Sequence, residues 1–241
     1  MNQLEKARIK LIEIMNENGW ANEQINVVSA RTLTANEAIG TPERDDYPIL
    51  KGKEVMIEAS FRGSKGQAFT DQPGSRSGSL KEIMELPLNT NLERAVFIAT
   101  ANAMLKALNK IDKTVHCRNE EPKECAKHMV GYIKEKFGNP KIAFIGLQPG
   151  MIAELSQYFA MKAVDLDPDN IGKKFNSVII QDVSHTKEII DWADIILATG
   201  STSVNDSMEQ FIGNKPVVFF GVTISAIAYL NNLNQYCHCG H

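Results

Sequence analysis

The cysteine and histidine residues of this chain are concentrated in two short stretches. "HCRNEEPKECAKH" spans 116–128 and "CHCGH" spans 237–241, and together they hold eight of the nine cysteines and histidines. Thiolates and imidazoles are the ligands that zinc, iron, nickel and copper take in proteins. The spacing is not that of a zinc finger, so it does not distinguish between these metals. We therefore predict a transition-metal site with ligands among His116, Cys117, Cys125, His128, Cys237, His238, Cys239 and His241.

Each stretch also has a purely structural interpretation. Residues 116–128 alone are compatible with a partly exposed helix that carries incidental thiols, and 237–241 with a chain end that has no role in folding. Four cysteines in a cytosolic chain are more often ligands or core residues than disulfides. Cys125 and His128 are three residues apart, so on a helix they face the same side. The clustering of both stretches, taken together, favours the metal interpretation.

The second half of the chain alternates short apolar segments with amphipathic ones. Short apolar strands followed by helices indicate a parallel, doubly wound sheet with right-handed crossovers. A helix over 121–137 precedes the first strand and ends at Gly138. We expect another helix, "SVNDSMEQFIG", over 203–213 after the fourth strand. The predicted strands cover 141–146, 162–167, 177–182, 194–200 and 216–221.

The first half of the chain has the pattern of an α+β unit. Ser79 and Glu82 have the spacing of a capping box, which predicts the start of a helix. A boundary near 111–120 separates an α+β domain over 1–112 from an α/β, Rossmann-like domain over 113–241. The predicted helices cover 3–18, 79–86 and 91–108, and the predicted strands cover 24–32, 53–61 and, within a Gly- and Ser-rich loop, 67–70.

The two Cys/His stretches are expected at opposite edges of the parallel sheet. Cys125 lies near the start of its helix, at the carboxyl-end edge, whereas the last helix should finish at the other edge. Eight extended residues reach about 26 Å at about 3.3 Å per residue, close to the about 24 Å of a 16-residue helix. The tail therefore returns to 116–128 without slack, meets that stretch of a neighbouring subunit in a homo-oligomer, or binds metal alone.

Polar residues follow the predicted parallel strands, in loops that we call the rim. Ligands of open α/β sheets bind outside the carboxyl ends of the strands, and the rim loops are "GLQPG", "DLDPD", "QDVSH", "ATGSTSVND" and "FGVT". We therefore predict a ligand pocket on this rim. Its candidate residues are Gly146, Gln148, Pro149, Gly150, Asp165, Asp167, Asp182, His185, Thr199, Gly200, Ser201, Thr202, Asn205 and Thr223.

The rim also supports a rival function, an enzyme that uses a nucleotide-like or S-adenosylmethionine-like ligand. "GLQPG" keeps two glycines of a dinucleotide loop without the full pattern, so a tight turn is an equally simple interpretation. Asp165 and Asp167 stand where a ribose-binding acid would lie, or they cap the next turn. "TGSTS" offers N–H groups to an anion or serves as a helix N-cap. A single histidine such as His185 is more often a surface residue, and no spacing assigns catalytic residues.

Composition limits the classes of partner. The chain has 241 residues, 43% hydrophobic and 23% charged, with a formal net charge of −3. This balance predicts a packed globular protein and argues against nucleic acid and anionic membranes as partners. No apolar run approaches the roughly 20 residues of a membrane span. The amphipathic N-terminus predicts a helix and not a signal peptide, which favours the cytoplasm.

Several stretches resemble the heavy-metal chelation family. They are "GKEVMIEASFRGSKGQAFTD", "NLERAVFIATANAMLKAL", "IAFIGLQPG", "ADIILATGSTSVNDSMEQFI" and "KPVVFFGVTISA". The resemblance implies an enolase N-terminal-like α+β domain followed by a Rossmann-like domain, with a ligand pocket between them. It also implies a role in metal handling, through a transition metal or a metal-chelating small molecule. The tail "CHCGH" is not part of the shared pattern.

Overall fold

The computed structural model describes residues 1–22, 31–213 and 215–241. Within these ranges the chain is an α/β protein with a three-stranded antiparallel sheet and a seven-stranded, mostly parallel sheet. The helices are α1 (Gln3–Glu17), α2 (Ala35–Ile39), α3 (Leu80–Met84), α4 (Asn91–Ala107), α5 (Glu121–Phe137), α6 (Pro149–Leu155), α7 (Thr186–Trp192) and α8 (Ser225–Asn231). The strands are β1 (Arg31–Leu33), β2 (Val55–Phe61), β3 (Ser64–Thr70), β4 (Ile142–Ile145), β5 (Met161–Asp165), β6 (Lys174–Phe175), β7 (Val178–Asp182), β8 (Ile195–Thr199), β9 (Val217–Phe220) and β10 (Gln235–Tyr236).

The antiparallel sheet has the strand order β1-β2-β3, with helix α4 packed across it. Strands β2 and β3 form a hairpin through Arg62 and Gly63, which both have positive φ, as tight hairpin turns require. A Cβ at Gly66 would lie 2.2 Å from the carbonyl oxygen of Ala99 on α4. Glycine is therefore needed where β3 approaches the helix, because any side chain would push the two elements apart.

The larger sheet has the order β10-β9-β8-β4-β5-β7-β6. From β4 in the middle, the chain continues first toward β5 and β7 and later toward β8 and β9, all of them parallel. The connections therefore leave in opposite directions on either side of β4. Such a switch point opens a crevice at the carboxyl ends of the strands, where α/β proteins bind ligands.

The two sheets are held together by a shared core and by one buried amide. The largest apolar cluster joins Phe97 of α4 to Ile227 of α8. The side chain of Asn102, fully buried on α4, donates to the carbonyl oxygens of Gln67 (3.0 Å) and Val222 (3.1 Å) and accepts from the N–H of Ala226 (2.8 Å). These bonds fix the position of strand β3 relative to the loop after β9, and hence the width of the space between the sheets.

The helix expected over 203–213 does not form. Its place is taken by two short 3₁₀ segments, Gly200–Ser203 and Met208–Phe211. The hydroxyls of Thr202 and Ser203 donate to the carbonyls of Thr199 and Gly200, each at 2.7 Å. Short polar side chains that bond the local backbone in this way compete with helical hydrogen bonds. The prediction of a helix over 203–213 is therefore wrong.

Other elements differ in smaller ways. Residues 24–30 of the strand expected over 24–32 lie outside the described residues, and β1 covers its last two positions and Leu33. The two-residue strands β6 and β10 were not predicted. Helix α8 ends at Asn231 because Asn232 takes the left-handed conformation (φ 54°). In the part of the chain that the structure describes, no helix is long and apolar enough to cross a membrane.

Candidate functional site

A cavity of about 560 Å³ lies between the antiparallel sheet and the rim; we call it the cleft. One side consists of the segment from Ile39 to Glu54 and the end of β3, and the other of the loops after β4, β5, β8 and β9. Thr223 joins the two sides, because its buried hydroxyl accepts a hydrogen bond from the N–H of Phe69 at 3.1 Å. The volume is that of a site for a small organic ligand.

One end of the cleft carries thiols. Cys117 and Cys125 line it and are buried, and Cys237 lines it while partly exposed. Cys125 projects from the second turn of α5 and Cys117 from the loop before that helix. Cys239 packs against the buried cluster that contains Cys125, although it does not line the cavity.

The chain end returns to residues 116–128 within one molecule. After α8 the chain turns and pairs as β10, the edge strand, parallel to β9. The hydroxyl of Tyr236 donates to the carbonyl of Cys125 at 3.1 Å. His241 then pairs with Val115 through both of its backbone groups, at 2.8 and 2.9 Å. Both Cys/His stretches are therefore neighbours, and their joint binding of a metal stays a prediction.

The imidazoles of these stretches make other contacts. The rings of His128 and His238 stack on the protein surface with centroids 3.8 Å apart. The Nε2 of His241 lies 3.2 Å from the carboxylate of Glu121. His116 lines the cleft, with its Nδ1 2.5 Å from the carbonyl oxygen of Cys117. Burial lowers the pKa of His116 to about 4, so this ring is neutral at physiological pH.

The surroundings of Cys117, Cys237 and Cys239 favour the protonated thiol, because they raise its pKa. Burial raises the pKa of Cys117 far above its ordinary value, that of Cys237 to about 12 and that of Cys239 to about 11, and the neighbouring thiols add to each rise. Among the described residues, no group of three or more His, Cys, Asp or Glu side chains is arranged to hold a metal ion. A metal would have to replace the thiol protons and draw the sulfurs together.

The other end of the cleft carries carboxyls. Glu54 lies just before β2 and accepts no hydrogen bond from the residues that the structure describes. Its surroundings raise its pKa to about 7, chiefly through burial and then through the charges of Asp165, Asp71 and Asp167. The charged residues of the lining, within the described chain, are these four acids and Lys53.

Lys53 does not neutralise the acids that face the cavity. Its ammonium lies 2.6 Å from Asp169, which lies outside the lining, and 3.8 Å from Asp167. The carboxylates of Asp71 and Asp165 line the cleft and take no part in this ion pair. This end of the cleft attracts positive charge and repels phosphate and other anions.

The rim aspartates hold loops in place. The carboxylate of Asp165 accepts from the N–H of Leu147 (2.6 Å), the N–H of Asp167 (3.0 Å) and the amide of Asn170 (2.8 Å). Asp167 in turn caps the 3₁₀ turn at Pro168–Asn170. The geometry corresponds to the capping interpretation of both residues; no ribose hydroxyl is needed to explain it.

The loop "TGSTS" is also self-contained. Thr199 accepts from the N–H of Ser201 at 3.4 Å, and its methyl group packs on Gly146, where a Cβ would lie 2.6 Å away. Gly146 has φ +93°, a conformation that favours glycine. The side chain of Gln148 caps α6 by accepting from the N–H of Met151. The rim loops are thus fixed before any ligand arrives.

The structure brings most of the predicted site residues to one cavity. Those that line the cleft are Gly146, Gln148, Asp165, Asp167, Thr199, Ser201, Thr202, Asn205, Thr223, His116, Cys117, Cys125 and Cys237. Those that do not line it are Pro149, Gly150, Asp182, His185, Gly200, His128, His238, Cys239 and His241. His185 is exposed and lies 3.4 Å from Glu188, and Asp182 caps the turn before α7.

Sequence reasoning missed the lining residues of the first half. Tyr47, Glu54, Asp71 and Asn91 all reach the cleft. Glu54 precedes a strand with an alternating pattern, so its sequence context was that of a solvent-facing position. Burial raises the pKa of Tyr47 to about 12, so this phenol stays protonated. No local signal distinguishes such residues, because the opposite sheet creates their environment.

Two solved structures have a similar fold. One is a protein of unknown function from the DUF364 family of Pyrococcus horikoshii, with TM-score 0.56, 15% identity, and coverage of 92% of this chain and 79% of that chain. The other is a DUF364 protein of unknown function from Desulfitobacterium hafniense DCB-2, with TM-score 0.51, 10% identity, and coverage of 91% and 83%. At such identities the likeness shows the fold alone, an α/β Rossmann-like one. Neither a family model nor a curated protein matches the sequence.

These findings correct the assignment to the heavy-metal chelation family. The similar structures come from proteins of unknown function, and no family model supports membership. The quoted stretches that carried the resemblance, such as "TGSTSVN", correspond here to a turn that is fixed by its own hydroxyls. The function has to be inferred from the cleft itself.

Proposed function

We propose that the cleft binds a transition metal carried by a small organic chelator, as part of metal handling. The observation that carries the proposal is the lining of the cavity, which has four acids against one paired lysine at one end and three thiols with a neutral imidazole at the other. The acids attract a positively charged complex. Thiols and imidazole are ligands for transition metals.

The size of the cavity supports a chelate over a bare ion. At about 560 Å³ the space is that of an organic ligand, whereas an ion and its ligands would leave most of it empty. A chelate would also place its organic part against apolar lining residues such as Ile49, Met151 and Phe220. Burial of this apolar surface adds affinity of about 25 cal/mol per Å² before the costs of association.

The experiment is native mass spectrometry together with elemental analysis of protein purified without a nickel column, from cells supplied with zinc, iron and nickel. We expect a metal and an organic adduct on the same chain, and reduced occupancy in Glu54→Gln. Glu85→Gln, at an exposed acid that does not line the cleft, is the matched control. Protein without metal after supplementation would overturn the proposal.

A second candidate is S-adenosylmethionine, because its sulfonium and ammonium groups carry positive charge. The same acidic end that repels ATP would attract it, and Asp71 and Glu54 lie on the side facing the rim. A thermal-shift comparison of both compounds is decisive, since a ligand at 100 times its Kd adds about 2.7 kcal/mol of stability. We expect no shift with ATP; a shift with S-adenosylmethionine in metal-free protein would favour this enzyme-like role.

The finer architecture belongs to the same proposal. An enolase N-terminal-like unit over 1–112 and a Rossmann-like unit over 113–241 are supported by the antiparallel hairpin with its helices and by the parallel sheet that follows. The cytoplasm is the proposed location. A monomer suffices for the cleft, because both Cys/His stretches meet within one chain.

A further inference from the structure

We infer that Leu147, Leu166 and Val183 form a docking surface for a planar aromatic ring system that carries positive charge; we call these three side chains the apolar shelf. They come after strands β4, β5 and β7, which are neighbours in the larger sheet, and all three line the cleft. The ring system would be the organic part of the ligand in our proposed function, on which the inference rests in this respect alone. No metal is needed for the ring system to dock.

Two side chains of the apolar shelf are exposed although they are large and apolar. Leu166 is 61% exposed and Val183 is 36% exposed. Among the described residues, they are the only exposed large apolar side chains that line the cleft. A single exposed apolar side chain is ordinary on a protein surface, whereas neighbouring ones beside a ligand-sized cavity mark a binding surface. An apolar part of the ligand would remove both side chains from water.

Two matching turns hold these exposed side chains next to each other. Asp165 and Asp182 are partners in the pairing of β5 with β7. The carboxylate of Asp165 accepts from the N–H of Asp167 at 3.0 Å, and that of Asp182 accepts from the N–H of Ser184 at 2.9 Å. In such a turn an aspartate bonds the backbone two residues on, which holds the residue between them in place. The apolar shelf is therefore fixed before a ligand binds, and Asp182 contributes to it although it does not line the cleft.

Leu147 extends the apolar shelf toward the middle of the sheet. The pairing of β4 with β5, continued beyond its last pair, places Leu147 beside Leu166. The carboxylate of Asp165 also accepts from the N–H of Leu147, at 2.6 Å. Neighbouring strands lie roughly 4.8 Å apart, so side chains that follow three of them form a row roughly 10 Å long. A fused aromatic ring system has a flat face of this length.

The charges around the apolar shelf select a cation. Asp165 and Asp167 flank Leu166 in the chain, and both line the cleft. Lys53, the lysine of the lining, lies 2.6 Å from Asp169, which is outside the lining. A positively charged ring system would therefore be attracted to the apolar shelf, and an anionic one would be repelled.

A pair of dyes with one ring system and opposite charges tests this selection. Proflavine is a cation on the planar acridine ring system, and acridine carboxylate is an anion on the same rings. Each dye is titrated with full-length protein that native mass spectrometry shows to be free of adducts, and fluorescence anisotropy measures binding. We expect one proflavine per chain and a Kd for acridine carboxylate that is at least about 10-fold higher.

The variants separate the apolar shelf from other exposed apolar positions. Leu166→Ser and Val183→Ser should each weaken proflavine binding by about 10-fold, because the ring system would bury these side chains. Ile179→Ser is the matched control, since Ile179 lies on β7 and is 52% exposed but does not line the cleft. It should bind proflavine as the wild type does. All three positions are exposed, so the urea midpoints of the variants should stay close to that of the wild type.

Folded protein that does not bind proflavine, or that binds acridine carboxylate as tightly, would overturn the inference. So would a loss of affinity in Ile179→Ser as large as that in Leu166→Ser, or wild-type affinity in both variants of the apolar shelf. Proflavine binding with the expected effects, in a protein that carries no metal after supplementation, would support the apolar shelf while refuting the chelate proposal. The two failures are therefore distinguishable.

Discussion

Replacing Glu54 by Gln removes the carboxyl of the cleft whose surroundings raise its pKa to about 7, while keeping the size of the side chain. Burial and the charges of Asp165, Asp71 and Asp167 all favour the protonated form in the folded protein. In the unfolded chain the same group titrates near its ordinary value of 4.5. The folded state therefore holds a proton that the unfolded state has lost between these two pH values.

This difference in bound protons sets the direction in which stability changes with pH. The contribution of Glu54 to stability is fully present below pH 4.5 and is lost as pH rises through about 7. The interval from 4.5 to about 7, at about 1.4 kcal/mol per pH unit, sets an upper limit of about 3 kcal/mol. Because the carboxyl is partly open to the cleft, solvent screens it, and we expect a loss of about 1 to 2 kcal/mol.

Urea unfolding followed by tryptophan fluorescence at pH 4.5, 6, 7 and 8.5 measures this loss. At pH 8.5 Glu54→Gln should be more stable than the wild type by about 1 to 2 kcal/mol, and at pH 4.5 the difference should vanish. Glu85→Gln, at an exposed acid, should follow the wild-type profile. Identical profiles of stability against pH for Glu54→Gln and the wild type would refute the raised pKa of Glu54.

Three further substitutions test how the cleft is held. Asn102→Ala leaves the carbonyls of Gln67 and Val222 and the N–H of Ala226 without their hydrogen-bond partner. It should lower the free energy of unfolding by about 3 kcal/mol, and a loss below about 1 kcal/mol would contradict the role of Asn102 in linking the two sheets. Gly66→Ala places a Cβ against the backbone of α4 and should cost about 2 to 3 kcal/mol, seen as a lower urea midpoint. Thr202→Val removes one hydroxyl bond in the rim turn and should cost about 1 kcal/mol; an unchanged midpoint would show that the turn does not need it.

The sequence predicted those elements whose signal is local. Apolar runs such as Ile142–Ile145 and Val217–Phe220 became central parallel strands, because residues buried on both faces leave no alternation. The capping box of Ser79 and Glu82 marked the start of α3 at the correct residue. The prediction of a helix over 203–213 was wrong because hydroxyl and amide side chains form local hydrogen bonds that compete with those of a helix.

Of the residues that line the cleft, the sequence predicted those of the rim and of the two Cys/His stretches, but not those of the first half of the chain. The rim residues follow strands, so topology alone collected them at one edge. Burial in the cleft raises the pKa of Glu54, and the charges of Asp165 and Asp71, more than 100 and 17 positions away in the chain, add to the rise; no local pattern encodes this environment. The return of the tail depends on the two-residue strand β10, which is too short to show any periodicity.

The two ends of the cleft impose different requirements on one occupant. The acidic end attracts net positive charge, and neither end has, among the described residues, three or more ligand side chains arranged to bind an ion. At the thiol end, burial raises the pKa of Cys117 and Cys237, so a metal that bound there would have to displace their protons. Under our proposal, an organic chelator with positive charge would match the acidic end and bring its metal to the thiol end. Because Asn102 and Thr223 fix the distance between the two sides, the cleft is formed before the ligand binds and its selectivity should depend on charge more than on closure.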